Sequence, residues 1–134
     1  MKGRGKVADS EKVTINLGFI DLGEIDLLVR DGFYANRTDL IRTAIRNQLD
    51  RHRDTLSKSV THHQLTLGLR RYELSELQGL AEAGERISIQ ALGLVEIAEG
   101  VPAELARDVI ASVHVLGALH ASAEVKAALA DRIR

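Results

Sequence analysis

Three polar side chains near the N-terminus have the chemistry to read nucleic-acid bases. Lys12, Thr14 and Asn16 occupy every second position of one short segment. Asparagine can pair with adenine through two hydrogen bonds, lysine can donate to guanine, and threonine can hydrogen-bond or contact the methyl group of thymine. Apolar residues alternate with them: Val13, Ile15 and Leu17. This period of two predicts a β-strand over residues 12–17, with one face for a core and the other for solvent or a ligand.

Two helices are predicted after this strand. Between residues 22 and 29 apolar side chains recur at helical spacing, and the pattern stops before Gly32, which can take the left-handed conformation that ends many helices. A second helical pattern begins after Asn36 and continues to about residue 52. Asn36 is a suitable N-cap, and Asp39 places a negative charge in the first turn. The N-terminal unit is therefore expected to be one strand and two helices.

A single strand cannot complete a fold of this size. Its backbone N–H and C=O groups would stay unpaired, and its apolar face would stay half exposed. Two copies of the chain solve both problems if their strands pair antiparallel into a two-stranded ribbon, with the four helices packed beneath it. The sequence thus predicts a homodimer in which folding and association are one event.

Residues 11–52 resemble the ribbon-helix-helix DNA-binding fold of the CopG/Arc/MetJ-type regulators. The likeness rests on the alternating segment, on the first helix, and on the run DGFYANRTDLIRTAI at residues 31–45. One departure is Gly18-Phe19-Ile20-Asp21, which follows the strand where many members have a proline-containing turn. The resemblance implies an intertwined dimer whose ribbon enters the major groove of double-stranded DNA.

The resemblance also implies which residues contact DNA. The base contacts would come from the polar face of the ribbon: Lys12, Thr14 and Asn16. The start of the second helix, with its free N–H groups and partial positive charge, is a natural phosphate site and would supply three further contacts: Asn36, Arg37 and Thr38. Such phosphate contacts hold the protein in register without reading sequence, and they make binding weaken as salt rises.

A mobile basic arm is predicted at residues 1–10. We expect its cations to contact DNA phosphates as well: Lys2, Arg4 and Lys6. Charge is uneven along the whole chain, since residues 1–60 hold 11 Lys and Arg against 9 Asp and Glu, whereas residues 61–134 hold 7 against 10. The two halves are therefore expected to do different jobs, with the basic half facing a polyanion.

The second half of the chain contains an internal repeat. A shift of 24 residues aligns seven pairs of small or apolar residues: Ile89 with Val113, Ala91 with Val115, Gly93 with Gly117, Val95 with Leu119, Val101 with Val125, Leu105 with Leu129, and Val109 with Ile133. A weaker earlier copy places Leu65, Leu67 and Leu69 at matching offsets. Each unit begins with alternation and ends with apolar residues four apart, which predicts a strand followed by a short helix.

Units of constant period place successive strands parallel. Residues 65–134 are therefore predicted to form a small β/α repeat domain, solenoid-like and loosely similar to leucine-rich-repeat geometry. Residues 53–64 have no clear apolar period and are interpreted as a linker or an extension of the preceding helix. The predicted fold class is α+β: an N-terminal ribbon-helix-helix domain plus a C-terminal repeat domain.

The C-terminal end, residues 131–134, has no recognisable polar capping unit, so an exposed strand edge is expected there. An open edge predicts that the repeat domain joins DNA-binding dimers into a higher oligomer or docks another protein.

The chain as a whole is predicted to be a transcriptional regulator, in particular a repressor. The alternative is an antitoxin whose C-terminal half binds a toxin. Antitoxin tails that fold on binding are usually polar and patternless, whereas this half is apolar and repeated, which favours the regulator.

The composition gives little support to catalysis, cofactors or metals. The chain has no cysteine, and it contains no nucleophile elbow, phosphate-binding loop or metalloprotease helix. Five histidines raise the question of a metal sensor, but no cysteine or carboxylate cluster supports them: His52, His62, His63, His114 and His120. No apolar run is long enough for a membrane span, and the start is too polar for a signal peptide. We therefore expect a cytoplasmic protein that is not an enzyme, with no catalytic residues, no metal ligands and no cofactor.

Overall fold

The computed structural model describes residues 10–134. Three predicted phosphate contacts, Lys2, Arg4 and Lys6, lie outside the described residues. The chain divides after Ser57 into two compact units. This division falls within residues 53–64, the segment for which the sequence left a linker and a helix as alternatives.

The N-terminal unit contains two helices that match the apolar spacing. Helix α1 spans Phe19–Arg30 and helix α2 spans Arg37–Arg51. The strand predicted over residues 12–17 is not formed in the single chain. A strand exists only where its backbone groups pair with a neighbour, and no described segment of this chain pairs with that stretch. The ribbon therefore stays a prediction about two chains.

Helix α1 ends in the way that its glycine predicts. Gly32 has a φ of +89°. Its N–H donates to the carbonyl of Val29 at 3.1 Å, and the N–H of Phe33 donates to the carbonyl of Leu28 at 3.0 Å. These are the paired bonds of a Schellman motif. Because a side chain at this φ is strained, the glycine fixes the point at which the chain leaves the helix.

A third helix, α3, spans Arg53–His62. Most of residues 53–64 is thus helical rather than an irregular linker. The helix ends in a second Schellman motif, in which the N–H of Leu65 donates to the carbonyl of Val60 at 2.9 Å. Gln64 takes the left-handed conformation that glycine usually fills, with a φ of 55°.

The C-terminal unit is a three-stranded parallel sheet with three helices. Strands and helices alternate along the chain: β1 (Thr66–Tyr72), α4 (Leu74–Glu82), β2 (Ile87–Ile97), α5 (Ala103–Val109), β3 (Ile110–His120) and α6 (Ala123–Ala128). The strand order is β1-β2-β3, and both neighbouring pairs are parallel, as the constant repeat predicts. Ser122 caps α6 by accepting a hydrogen bond from the N–H of Val125 at 3.1 Å.

The core of this unit lies between one face of the sheet and the helices. Its fully buried side chains come from both layers: Ile89, Val95 and Val113 from the strands, and Leu77, Val109 and Val125 from the helices. The buried apolar residues of β2 all have odd numbers: Ile89, Ala91, Val95 and Ile97. Because strand side chains alternate between faces, the odd positions face the helices and the even positions face the other way.

The strand register confirms the predicted repeat for two of the three units. β2 and β3 pair Ile89 with Val113, which is the expected offset of 24 residues. β1 does not follow it, because Leu67 pairs with Leu92 rather than with Ala91. The predicted alignment of the earlier copy is therefore wrong by one residue. A slip of one residue exchanges the two faces of a strand, so the leucines of β1 lie on the face opposite the helices.

Three glycines form a column across the middle of the sheet. Gly68, Gly93 and Gly117 are register partners with φ angles of +118°, +137° and +123°. A β-carbon added to Gly93 would lie 2.1 Å from the carbonyl oxygen of Gly68, and one added to Gly117 would lie 2.1 Å from that of Gly93. Only glycine permits this approach of neighbouring strands.

The C-terminal residues cover part of the outer edge of β3, which corrects the expectation of a fully open edge. Ile133 forms a parallel bridge with Val113. The N–H of Val113 donates to the carbonyl of Arg132 at 2.9 Å, and its carbonyl accepts from the N–H of Arg134 at 2.8 Å. Between residues 115 and 120, β3 has no partner on this side within the described part of the chain.

Candidate nucleic-acid interface

The three predicted base-reading side chains lie on an exposed segment that leads into α1. Lys12, Thr14 and Asn16 are all exposed. Their apolar neighbours are exposed as well, with Val13 at 77% of its full accessible surface. The polar face of the segment is thus free to contact a ligand, while its apolar face lacks the core that alternation implies.

The start of α2 is held by two reciprocal hydrogen bonds. Oδ1 of Asn36 accepts from the N–H of Asp39 at 2.8 Å, and Oδ2 of Asp39 accepts from the N–H of Ala35 at 2.9 Å. The first bond confirms the prediction that Asn36 is the N-cap. The N–H groups of Arg37 and Thr38 lie in the first turn, where a helix has no internal acceptors for them. They stand at the positive end of the helix dipole, an arrangement that binds phosphate.

The side chain of Arg37 forms a bidentate ion pair across the two helices. Its Nε donates to Oδ1 of Asp26 and its Nη2 donates to Oδ2, both at 2.8 Å. The hydrogen bond from Arg37 holds the pKa of Asp26 below its usual range, and the same bond raises the pKa of Arg37. Both groups are exposed. No sequence signal identified this pair, because 11 residues separate its members and only the meeting of α1 with α2 joins them.

The ion pair affects what Arg37 can do at the helix start. A guanidinium group has five N–H donors in a rigid plane, and Asp26 accepts from the one on Nε and from one of the two on Nη2. The remaining donors can still reach a phosphate, and the carboxylate fixes the plane of the group. Arg37 is thus oriented before any ligand binds, but the negative charge of the carboxylate beside it opposes the approach of a phosphate.

The helices of the N-terminal unit bury none of their residues in the single chain. This holds for α1 and α2, and α3, which crosses the division between the two units, has no buried residue either. Phe19 is 92% exposed, and several further large apolar residues are mostly exposed: Val13, Ile15, Ile20, Leu27, Phe33 and Ile45. Exposed apolar surface of this extent marks an interaction surface.

Metal-ligating side chains do not gather within residues 10–134: no three of His, Asp and Glu there are placed to hold a metal ion. The rings of His62 and His63 stack edge to face, with centroids 5.0 Å apart. His114 and His120 both lie on β3. In the same part of the chain, no helix has the length and apolar character needed to cross a membrane.

A family comparison connects these features. The sequence model of the Ribbon-Helix-Helix transcriptional regulator family matches residues 8–126. The chain belongs to this family. The match confirms the resemblance seen at residues 11–52, and it continues through the sheet of the C-terminal unit into α6. No curated protein and no solved structure matches the chain.

Membership in this family gives the N-terminal unit its role. Ribbon-helix-helix regulators typically bind DNA as dimers, and in this chain an exposed segment precedes the two helices α1 and α2. The extent of the match also shows that the C-terminal unit is part of what the family shares, rather than an addition peculiar to this chain.

Proposed function

We propose that the protein is a repressor that binds a specific DNA site as an obligate homodimer and inserts a two-stranded β-ribbon into the major groove. The observation that carries this proposal is the absence of buried residues in α1 and α2. A second copy supplies the missing core when the two N-terminal units intertwine. The same pairing gives the backbone of residues 12–17 its hydrogen-bond partners.

The ribbon would read bases through its polar face. The major groove is about 12 Å wide, admits a two-stranded ribbon, and displays a different donor and acceptor pattern for each base pair. Lys12, Thr14 and Asn16 supply a cation, a hydroxyl with a methyl group, and an amide. Each well-formed base contact contributes about 1–3 kcal/mol of discrimination. A pair of identical ribbon strands favours a pseudo-palindromic site.

The starts of the two α2 helices would clamp the DNA backbone on either side of the ribbon. Asn36, Arg37 and Thr38 are the proposed phosphate contacts there, and the basic arm adds three more: Lys2, Arg4 and Lys6. Each phosphate neutralised releases counterions, so the logarithm of the binding constant should fall linearly with the logarithm of salt concentration. These contacts position the ribbon without selecting a sequence.

The C-terminal units would join dimers to one another. Their β/α repeat is solenoid-like, and two strand edges are unpaired within the described part of the chain: the outer edge of β1 and residues 115–120 of β3. Strand edges of this kind accept another strand. Dimers that associate in this way bind neighbouring sites cooperatively, as suits a repressor acting on DNA in the cytoplasm.

An antitoxin is the weaker candidate. Segments that capture a partner by folding on it are poor in buried apolar residues when free. The C-terminal unit instead buries Leu77, Val95 and Leu129 completely in the single chain. A domain with its own core does not need a toxin in order to fold.

The test is a footprint of the protein on the DNA upstream of its own gene, followed by binding measurements on that site and on a random duplex. Asn16→Ala should weaken binding to the specific site by about 5- to 150-fold and leave random DNA nearly unaffected. Arg37→Ala should weaken binding to both duplexes about equally and reduce the salt dependence.

Asp26→Asn is the matched control for Arg37. It breaks the same ion pair but keeps the arginine, so it should bind both duplexes at least as tightly as the unaltered protein. If Asp26→Asn and Arg37→Ala weaken binding equally, Arg37 acts only by holding α1 against α2. Equal effects of Asn16→Ala on the specific and random duplexes would remove the assigned base contact.

A further inference from the structure

One face of the C-terminal sheet is apolar and has no helix over it. The register aligns Leu67, Leu92 and Leu116 in one row across the three strands, and Leu69, Leu94 and Ala118 in a second row. We call these six side chains the leucine face. None of them belongs to the core or packs against it. They occupy the strand positions opposite the buried residues that meet the helices.

The leucine face is exposed in a kind of sheet that is normally covered. Leu67 is 70% exposed and Leu69 is 59% exposed. Parallel sheets occur almost always with both faces buried, because the crossover helices cover one face and something else covers the other. In this unit the three helices contribute to one core only, on the face that carries Ile89 and Val95. The leucine face therefore needs an occupant.

The charges around the leucine face suit an identical surface. At one end of the strands Arg71 lies between two carboxylates: its Nη1 donates to Oε2 of Glu96 at 3.0 Å, and its Nε donates to Oε1 of Glu73. The register places His120 beside Glu96 on this face, and the other end carries polar residues: Ser88, Gln90, Ser112 and His114. Cation, carboxylates and histidines are thus interspersed, and the face carries no block of like charge that would repel a second copy.

We propose that the leucine face packs against the leucine face of the second copy in the same dimer. The inference rests on the proposed homodimer, in which each C-terminal unit is joined to its N-terminal unit through α3. Six side chains are far fewer than the roughly 20–30 residues per side of a standard interface, so two free domains would associate weakly. Linkage through the N-terminal dimer makes this second contact intramolecular and so raises its effective concentration, which allows a weak contact to close.

The proposed pairing of the leucine faces has a defined geometry, and it closes with two chains. Two sheets that pack face to face align their strands within about 30° and interdigitate their inner side chains. An identical patch on each copy gives a closed two-fold contact that ends with two chains. The strand edges stay free, so the pairing within a dimer is compatible with assembly of dimers through those edges.

The test uses a single cysteine, because the chain has none of its own. Leu92→Cys places a thiol on the middle strand of the leucine face. A short bismaleimide should then join the two chains of the full-length dimer covalently, at a rate that does not change on dilution. Lys126→Cys on the exposed side of α6 is the control and should cross-link at least tenfold more slowly.

A second variant tests whether the two leucine faces pack against each other or only lie close together. Leu116→Asp added to Leu92→Cys should slow the cross-link at least tenfold while the protein remains a dimer that binds its DNA site. A chain that is monomeric and does not bind DNA would sink the proposed function itself. A DNA-binding dimer in which Leu92→Cys cross-links no faster than Lys126→Cys, or only at high concentration, would overturn the pairing of the leucine faces and leave the proposed function standing.

Discussion

The two units of this chain reach stability in opposite ways. The N-terminal helices α1 and α2 bury no side chain, whereas the C-terminal unit closes a core around Val95 and Leu77, both with no exposed surface. Burial of apolar surface is the main favourable term in folding. The C-terminal unit thus has its stabilisation within one chain, and in the proposed dimer the N-terminal unit obtains it from a second chain.

The N-terminal unit shows that sequence signals for helices are separate from the sequence signals for a core. The helices of the N-terminal unit are specified by residues a few positions apart, such as the cap at Asn36 and the glycine at residue 32. Local signals form helices but do not form a core. A unit that stops at local structure is stable only when it associates, so its folding should depend on protein concentration.

The largest expected effect is a loss of stability in the C-terminal unit, which folds by itself. Gly93→Ala forces a β-carbon to within 2.1 Å of the Gly68 carbonyl oxygen at a φ of +137°, and we expect it to destabilise the C-terminal unit by about 4 kcal/mol or more. The measurement is urea unfolding followed by circular dichroism. Gly79→Ala in α4 is the control, since no atom lies near its added carbon, and it should stabilise by about 0.5–1 kcal/mol. Equal stabilities of the two variants would disprove the glycine column.

The next effect tests whether the N-terminal unit depends on a second chain. Ile15→Ala removes a side chain that is exposed in the single chain but buried in the proposed ribbon, so it should weaken the dimer by about 2 kcal/mol per chain. Analytical ultracentrifugation over a dilution series measures this. Thr14→Ala, on the other face of the same segment, should leave the dimer unchanged. If Ile15→Ala also leaves it unchanged, the ribbon does not supply the core.

The smallest effect compares one exposed Arg–Asp pair in each unit. Arg37 lowers the pKa of Asp26 through a hydrogen bond, and Arg107 lowers that of Asp131 in the same way. A carboxylate with a lowered folded-state pKa stabilises at neutral pH, and this contribution disappears as the pH falls through that pKa, below about 4. Tm measured from pH 7 downward should therefore fall slightly further in the unaltered protein than in Asp26→Asn or Asp131→Asn. Parallel curves would mean that neither pair contributes.

Much of the fold could be predicted, and the misses have specific causes. The helical spacing predicted α1 and α2, and the 24-residue repeat predicted the pairing of Ile89 with Val113. The register of β1 was missed because Leu67 and Leu69 remain apolar under either alignment, and hydrophobic pattern alone cannot choose between them. The column of glycines was the signal that distinguishes the two, since Gly68 aligns with Gly93 only at an offset of 25.

The candidate interface shows the same limit. Its N-cap was predictable because Asn36 and Asp39 are three residues apart and their bond is local. The pairing of Arg37 with Asp26 was not, because it joins residues on two helices whose mutual packing the sequence pattern does not specify. The roles of Lys12, Thr14 and Asn16 toward bases stay predictions.

The sequence by itself determined α1 and α2, the end of α1 before Gly32, the cap at Asn36, the repeat of β2 and β3, and the family, because each depends on spacing within one segment or on a motif. Only the tertiary structure decided the face on which the β1 leucines lie, the partner of Arg37, and the contact of residues 132–134 with β3. Each of these depends on residues far apart along the chain. A shift of one position in the strand pairing leaves the hydrophobic pattern equally well satisfied but exchanges the surfaces that meet.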